Sequence, residues 1–118
     1  MTIKKTKFSE YIISINTPII TAIIKIQNNP RDDLLVEKEG KIIGTISSGD
    51  LLRAILEKKN LDTSIRTAVN YNFKFLKKKS YSDAKKIFLS YGINLIPILD
   101  KNFKLKSIIK LNEILGKN

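Results

Sequence analysis

The order of apolar runs, turn residues and helix starts in the first half of this chain recurs in the second. YIISIN (11–16) reads as a short strand. Pro18 then opens PIITAIIKIQNN, where Ile19, Ala22, Ile23 and Ile26 recur at helical spacing and proline sits where a first turn tolerates it. After the polar NPRDD, the runs LLVE and KIIGTI flank Lys38, Glu39 and Gly40, as two strands joined by a tight turn would. SSGDLLRAILEK sets Leu51, Leu52, Ile55 and Leu56 on one side of a second helix, with serines available to cap it. The order is β-α-β-β-α.

In the second half NFKFLKKK reads as a strand, and SYSDAKKIFLSYG as a helix capped by Ser80 and stopped by Gly92. LIPILD and FKLKSII form a hairpin about KN, and LNEIL begins a last helix. Ala22 and Ala84 stand 62 residues apart, while Glu37 with Asp100 and Asp50 with Glu113 stand 63 apart, a single residue of slip. Such a period is too long for a solenoid unit and indicates a duplicated subdomain. Between the halves KKNLDTSIRTAVNYN holds no Pro or Gly and carries Ile65, Ala68 and Val69 at helical spacing after an Asp62 or Thr63 cap. A short connecting helix is expected there, joining the halves as one rigid body. The fold class is α/β in the mixed α+β sense, with repeats over 1–60 and 61–118.

Composition excludes more than it selects. The 118 residues suffice for one domain's core, at 42% hydrophobic content. With no cysteine and no histidine, thiolate or imidazole metal sites, disulfides and histidine acid–base chemistry are ruled out by inventory. No triad, metal cluster or Gly-x-x-x-x-Gly-Lys phosphate loop is present, so no catalytic role is expected. No apolar run approaches the roughly 20 residues that cross a bilayer, and the lysine-rich start has no apolar signal region behind it, so the expected location is cytoplasmic, without a membrane. The formal net charge of +11 attracts polyanions without choosing among them. Lys77, Lys78 and Lys79 form a tight basic run that reads as a solvated face, and Phe73, Phe75, Tyr81, Phe88 and Tyr91 read as core at strand and helical spacing.

The tandem β-α-β-β-α unit, with a Gly-x-x-Ser-x-x-Asp pattern opening the last helix of the first repeat, resembles the cystathionine-β-synthase (CBS) domain pair, or Bateman module. The segments that carry it are LLVEKEGKIIGTISSGDLLRAIL and LIPILDKNFKLKSIIKLNEIL. More narrowly, GTISSGDLLRAILEKKNLDTSI is similar to the CBS pairs that precede sugar-phosphate nucleotidyltransferase domains. The resemblance implies two CBS repeats packed as a pseudo-twofold pair, a regulatory module whose ligand is an adenine nucleotide (AMP or ATP), and a homodimer formed side by side through the helices. It also implies control of an attached or partner enzyme such as that nucleotidyltransferase.

The chemistry centres on GTISSGD (44–50). Asp50 is placed to accept hydrogen bonds from both hydroxyls of a ribose. Ser47 offers a hydroxyl to the sugar or its phosphate, and Gly44 and Gly49 would let backbone approach a ligand without a Cβ between. The helix start adds N–H groups that favour phosphate. Arg53, one turn on, reads either as a surface ion pair or as a phosphate contact. Ser47-x-x-Asp50 is equally a capping-box variant, and different oxygens can serve both roles. In the second repeat Ser107, Lys110 and Glu113 replace the glycine, the hydroxyl residue and the aspartate, so one functional site per chain is expected, with Lys110, Glu113 and Pro97 as a weaker second site. Pro97 would ordinarily argue against a central strand; the resemblance, in which a proline often stands at this point near the adenine pocket, implies an edge feature. The alternative function is a small basic nucleic-acid-binding protein without sequence specificity.

Overall fold

The computed structural model describes residues 8–28 and 33–115; the lysine-rich start before Phe8 and most of the NPRDD connection lie outside them. β1 (Ile12–Ser14) pairs in parallel with β2 (Leu34–Lys38), and β2 pairs antiparallel with β3 (Lys41–Ile46). Parallel neighbours need a long crossover, and α1 (Ile19–Asn28) lies in it. β2 and β3 meet through Glu39 and Gly40, whose φ values of 53° and 80° form a turn that follows the strand twist. α1 buries Ile19, Ala22 and Ile26, as its spacing predicts.

α2 (Ser48–Leu56) separates Leu51 from the three apolar residues expected beside it. It buries Leu51 and Ala54, while Leu52, Ile55 and Leu56 are 56%, 44% and 72% exposed. Leu51 and Ala54, three residues apart, share the inward face; Leu52 and Leu56 are rotated well away from it. The small Ala54, not the larger leucines, is what meets the core.

The second half repeats the pattern with α3 (Tyr81–Tyr91), the antiparallel pair β4 (Leu95–Leu99) and β5 (Leu105–Lys110), and α4 (Leu111–Leu115). Ser80 Oγ accepts the Asp83 N–H at 3.2 Å, and Gly92 closes α3 in the left-handed conformation at φ 61°, as expected. NFKFLKKK does not form a strand. It keeps one parallel bridge, Leu76 to Ile98, in which the Leu76 N–H donates to the Pro97 carbonyl and the Leu99 N–H to the Leu76 carbonyl. Two residues earlier in the same register, the Lys74 carbonyl would need an N–H from position 97, and proline has none. Pro97 is therefore no free edge: it lies buried in β4 between β5 and Leu76, and it ends the pairing.

The connection between the halves is shorter in helix than its spacing predicts, a 3-10 turn over Ile65–Thr67 capped by Ser64 rather than by Asp62 or Thr63. Tertiary hydrogen bonds override the propensity. The Thr63 and Leu61 carbonyls accept the Ile19 and Ile20 N–H groups, two of the donors that the first turn of α1 leaves unpaired. Ile65 N–H goes to Thr17, and Asn70 exchanges both backbone bonds with Thr45 of β3.

Three apolar clusters result. One lies under α1 and α2 and takes in Ile65 and Val69; another joins α3 to β4 and β5 through Ala84, Phe88, Ile96, Ile98 and Ile109. Between them Tyr11, Leu35 and Ile42 meet Leu95, Leu99 and Ile108, with Phe73 and Phe75 packed alongside. Each such side chain, fully buried, contributes about 1.5–3 kcal/mol before entropy is counted. The Ile42 N–H donates to the Phe103 carbonyl at 2.8 Å, tying the second hairpin to the first sheet. Tyr91 is the exception among the aromatics expected in the core: it is 55% exposed, with Lys74 Nζ 4.4 Å from its ring centre.

Candidate functional site

The end of β3 delivers Ser47 in extended backbone, and α2 begins at the next residue. Asp50 Oδ2 accepts from both the Ser47 N–H and the Ser47 hydroxyl at 2.9 Å, and the Asp50 N–H donates back to Ser47 Oγ at 3.1 Å. This is a complete capping box, satisfying donors at both ends of the motif. Asp50 Oδ1 accepts from Arg53 at 3.1 Å, and the arginine side chain is 65% exposed. The guanidinium end of the pair lies in solvent and can turn away, so Oδ1 can be given over to another donor.

Asp50 and Arg53 line a cleft of about 240 Å³ between α2 and the segment Thr67 to Asn70. Asn70 also lines an adjoining cleft of about 280 Å³, which runs past Thr45 to Asn72, Lys74, Tyr91 and Leu95 of the second repeat. The two clefts share Asn70, one bordering the cap of α2 and the other the second half. Sequence reading missed Thr45, Asn70, Asn72 and Lys74, because what brings them here is the backbone pairing of Thr45 with Asn70, a non-local contact with no local signal. Among the described residues no cluster of His, Cys, Asp and Glu could hold a metal, and no helix is long and apolar enough to cross a membrane.

Gly44 has a structural reason different from ligand approach. A Cβ there would lie 2.4 Å from Val69 Cγ1 and 2.8 Å from the Asn70 carbonyl, so the missing side chain admits the 69–70 segment against β3. At Gly49 a Cβ would make only an ordinary contact, 3.7 Å from Ser47 Oγ, so no close approach requires the glycine.

The second repeat retains half of the motif. Glu113 accepts the Lys110 N–H at 2.9 Å, but Lys110 has no hydroxyl to return the bond. Its Nζ donates instead to the Tyr11 hydroxyl at 2.9 Å and stands 5.2 Å from that ring's centre. Pro97 is buried in β4 and lies apart from the two clefts at Asp50. The structure thus brings Ser47, Asp50 and Arg53 together on a cleft, and Lys110 with Glu113 on a corner closed by Tyr11.

A family model of the CBS domain matches residues 9–57. Solved structures agree over nearly all of the chain. A CBS domain protein from Pyrobaculum aerophilum, complexed with AMP, is 14% identical, with 91% of this chain and 84% of that one covered at a TM-score of 0.76. A CBS domain pair/ACT domain protein from Thermotoga maritima is 20% identical over 89% and 84% of the two chains, at a TM-score of 0.73. The cytosolic domain of the Mg2+ channel MgtE, in complex with ATP, is 16% identical, with 91% of this chain and 44% of that one covered at 0.72. No curated protein matches the sequence. Residues 9–57 are thus similar to a CBS domain, and the chain as a whole has the fold of a CBS-domain pair.

Proposed function

We propose that the chain is a regulatory module that binds an adenine nucleotide, AMP or ATP, in the cleft at Asp50 and its neighbour across Asn70, and passes occupancy to an enzyme. The observation that carries this reading is the carboxylate of Asp50, fixed by its capping box and facing a cleft with one oxygen held only by an exposed arginine. A ribose hydroxyl would replace Arg53 on Oδ1, freeing the guanidinium for phosphate, to which its planar fork is suited. The AMP and ATP complexes of proteins with the same fold support the choice of ligand.

In this reading the two repeats divide near residues 60 and 61, the module is not itself catalytic, and it functions in the cytoplasm as a homodimer. The resemblance of its first repeat to CBS pairs that precede sugar-phosphate nucleotidyltransferases supports such an enzyme as the regulated partner. The test is mass spectrometry of the protein purified without added ligand, followed by calorimetry with AMP and ATP. A co-purified adenine nucleotide, or saturable binding at one site per chain, is the expected result; no binding of either nucleotide would refute the proposal.

A further inference from the structure

Beside the second hairpin, where the residues flanking Leu76 meet its turn, a cleft of about 570 Å³ opens between Phe75, Leu99 and the turn at Phe103. Its size lies within the about 300–1,000 Å³ of small-ligand sites, and it shares no lining residue with the clefts at Asp50. Lys77, Lys101 and Lys106 line it and are exposed, as are Lys78, Lys79 and Lys104 beside them in sequence. The acid among the lining residues, Asp100, holds the turn through Oδ1, which accepts the Asn102 and Lys104 N–H groups at 2.8 and 3.0 Å.

Phe103 is the unusual member. It occupies φ 63°, a conformation that suits glycine and is strained for a bulky residue. Its ring is held edge-on to Phe75 at 5.5 Å between centres, yet the residue remains 45% exposed. An aromatic in a glycine's place, kept partly in solvent and surrounded by lysines on two separate segments, suits a ligand that offers a planar ring together with several anions in a row.

We propose that this cleft binds single-stranded nucleic acid, one base stacking on Phe103 while flanking phosphates meet Lys77, Lys101 and Lys106. Paired bases have no free face to offer the ring, so a duplex is excluded from this mode. Recognition is independent of sequence, since every base has a face to stack. The site is separate from the one at Asp50 and does not depend on it.

The test is fluorescence anisotropy of the full chain with a labelled oligouridine, the same oligomer without bases, and a duplex of equal length. Oligouridine is expected to bind about tenfold or more tighter than the base-free strand, as one stacked base provides. Phe103→Gly relieves the strained φ and keeps the Ile42 to Phe103 backbone bond available. It is expected to remove that preference while leaving the melting temperature within a few degrees and AMP calorimetry unchanged. Lys101→Ala with Lys106→Ala should weaken all three nucleic acids and flatten the salt dependence. Equal binding of oligouridine and base-free strand, tighter binding of the duplex, an unaltered preference in Phe103→Gly, or loss of AMP binding in that variant would each overturn the proposal.

Discussion

At Gly44 the residue scale shows how one missing Cβ shapes the site. Its substitution by alanine would drive a methyl into Val69 Cγ1 and the Asn70 carbonyl, and the second of these is backbone that cannot swing aside. Gly44→Ala is expected to lose about 1–3 kcal/mol in urea unfolding. Unchanged stability would mean that the 69–70 segment is not seated against β3. The same position marks the limit of sequence reading. Ser47, Asp50 and Arg53 were legible because their contacts are local, three residues apart on one helical turn. What Gly44 accommodates was not, since Val69 and Asn70 reach it only after the chain has passed through all of α2. Lys110 was legible as a departure from the first repeat, but its bond to Tyr11 spans 99 residues and leaves no mark in local sequence.

At the scale of elements, caps and apolar stripes placed α1, α3 and both hairpins correctly, and the failures share one cause. The stretch NFKFLKKK has the composition of a strand, and the connection 61–70 the spacing of a helix, yet both were decided by partners remote in sequence. Pro97 denies the first its second bridge; Thr17, Ile19, Ile20 and Thr45 take the hydrogen bonds of the second. Replacing Pro97 with alanine supplies an N–H facing the Lys74 carbonyl, so hydrogen exchange should find protection at position 97 and slower exchange at Leu76. Fast exchange at the new amide would refute this account of the truncated strand. At the end of α3, Gly92→Ala should lower stability by about 1–2 kcal/mol, because an L side chain is strained at φ 61°. Thermal melting with no change would rule out the left-handed cap.

For the whole molecule, the outward apolar face of α2 bears on assembly. Leu52, Ile55 and Leu56 face outward, close in sequence to the Asp50 cap, so a dimer covering them would couple the interface to the ligand cleft through one helix. Sedimentation equilibrium should find dimers, and Leu52→Lys with Leu56→Lys should shift them to monomers without unfolding the chain; a parent that stays monomeric at high concentration would remove this route of signalling. The central claim, that Asp50 is a ligand-binding carboxylate and more than a cap, is tested most directly by calorimetric titration with AMP of the parent, Asp50→Asn and Glu113→Gln. Asparagine keeps one acceptor for the cap but loses the charge-assisted bond, of about 1.5–3 kcal/mol, so affinity should fall about tenfold to hundredfold in Asp50→Asn and hold in Glu113→Gln. An Asp50→Asn protein that binds AMP like the parent, while Glu113→Gln does not, would contradict the assignment and place the site in the second repeat.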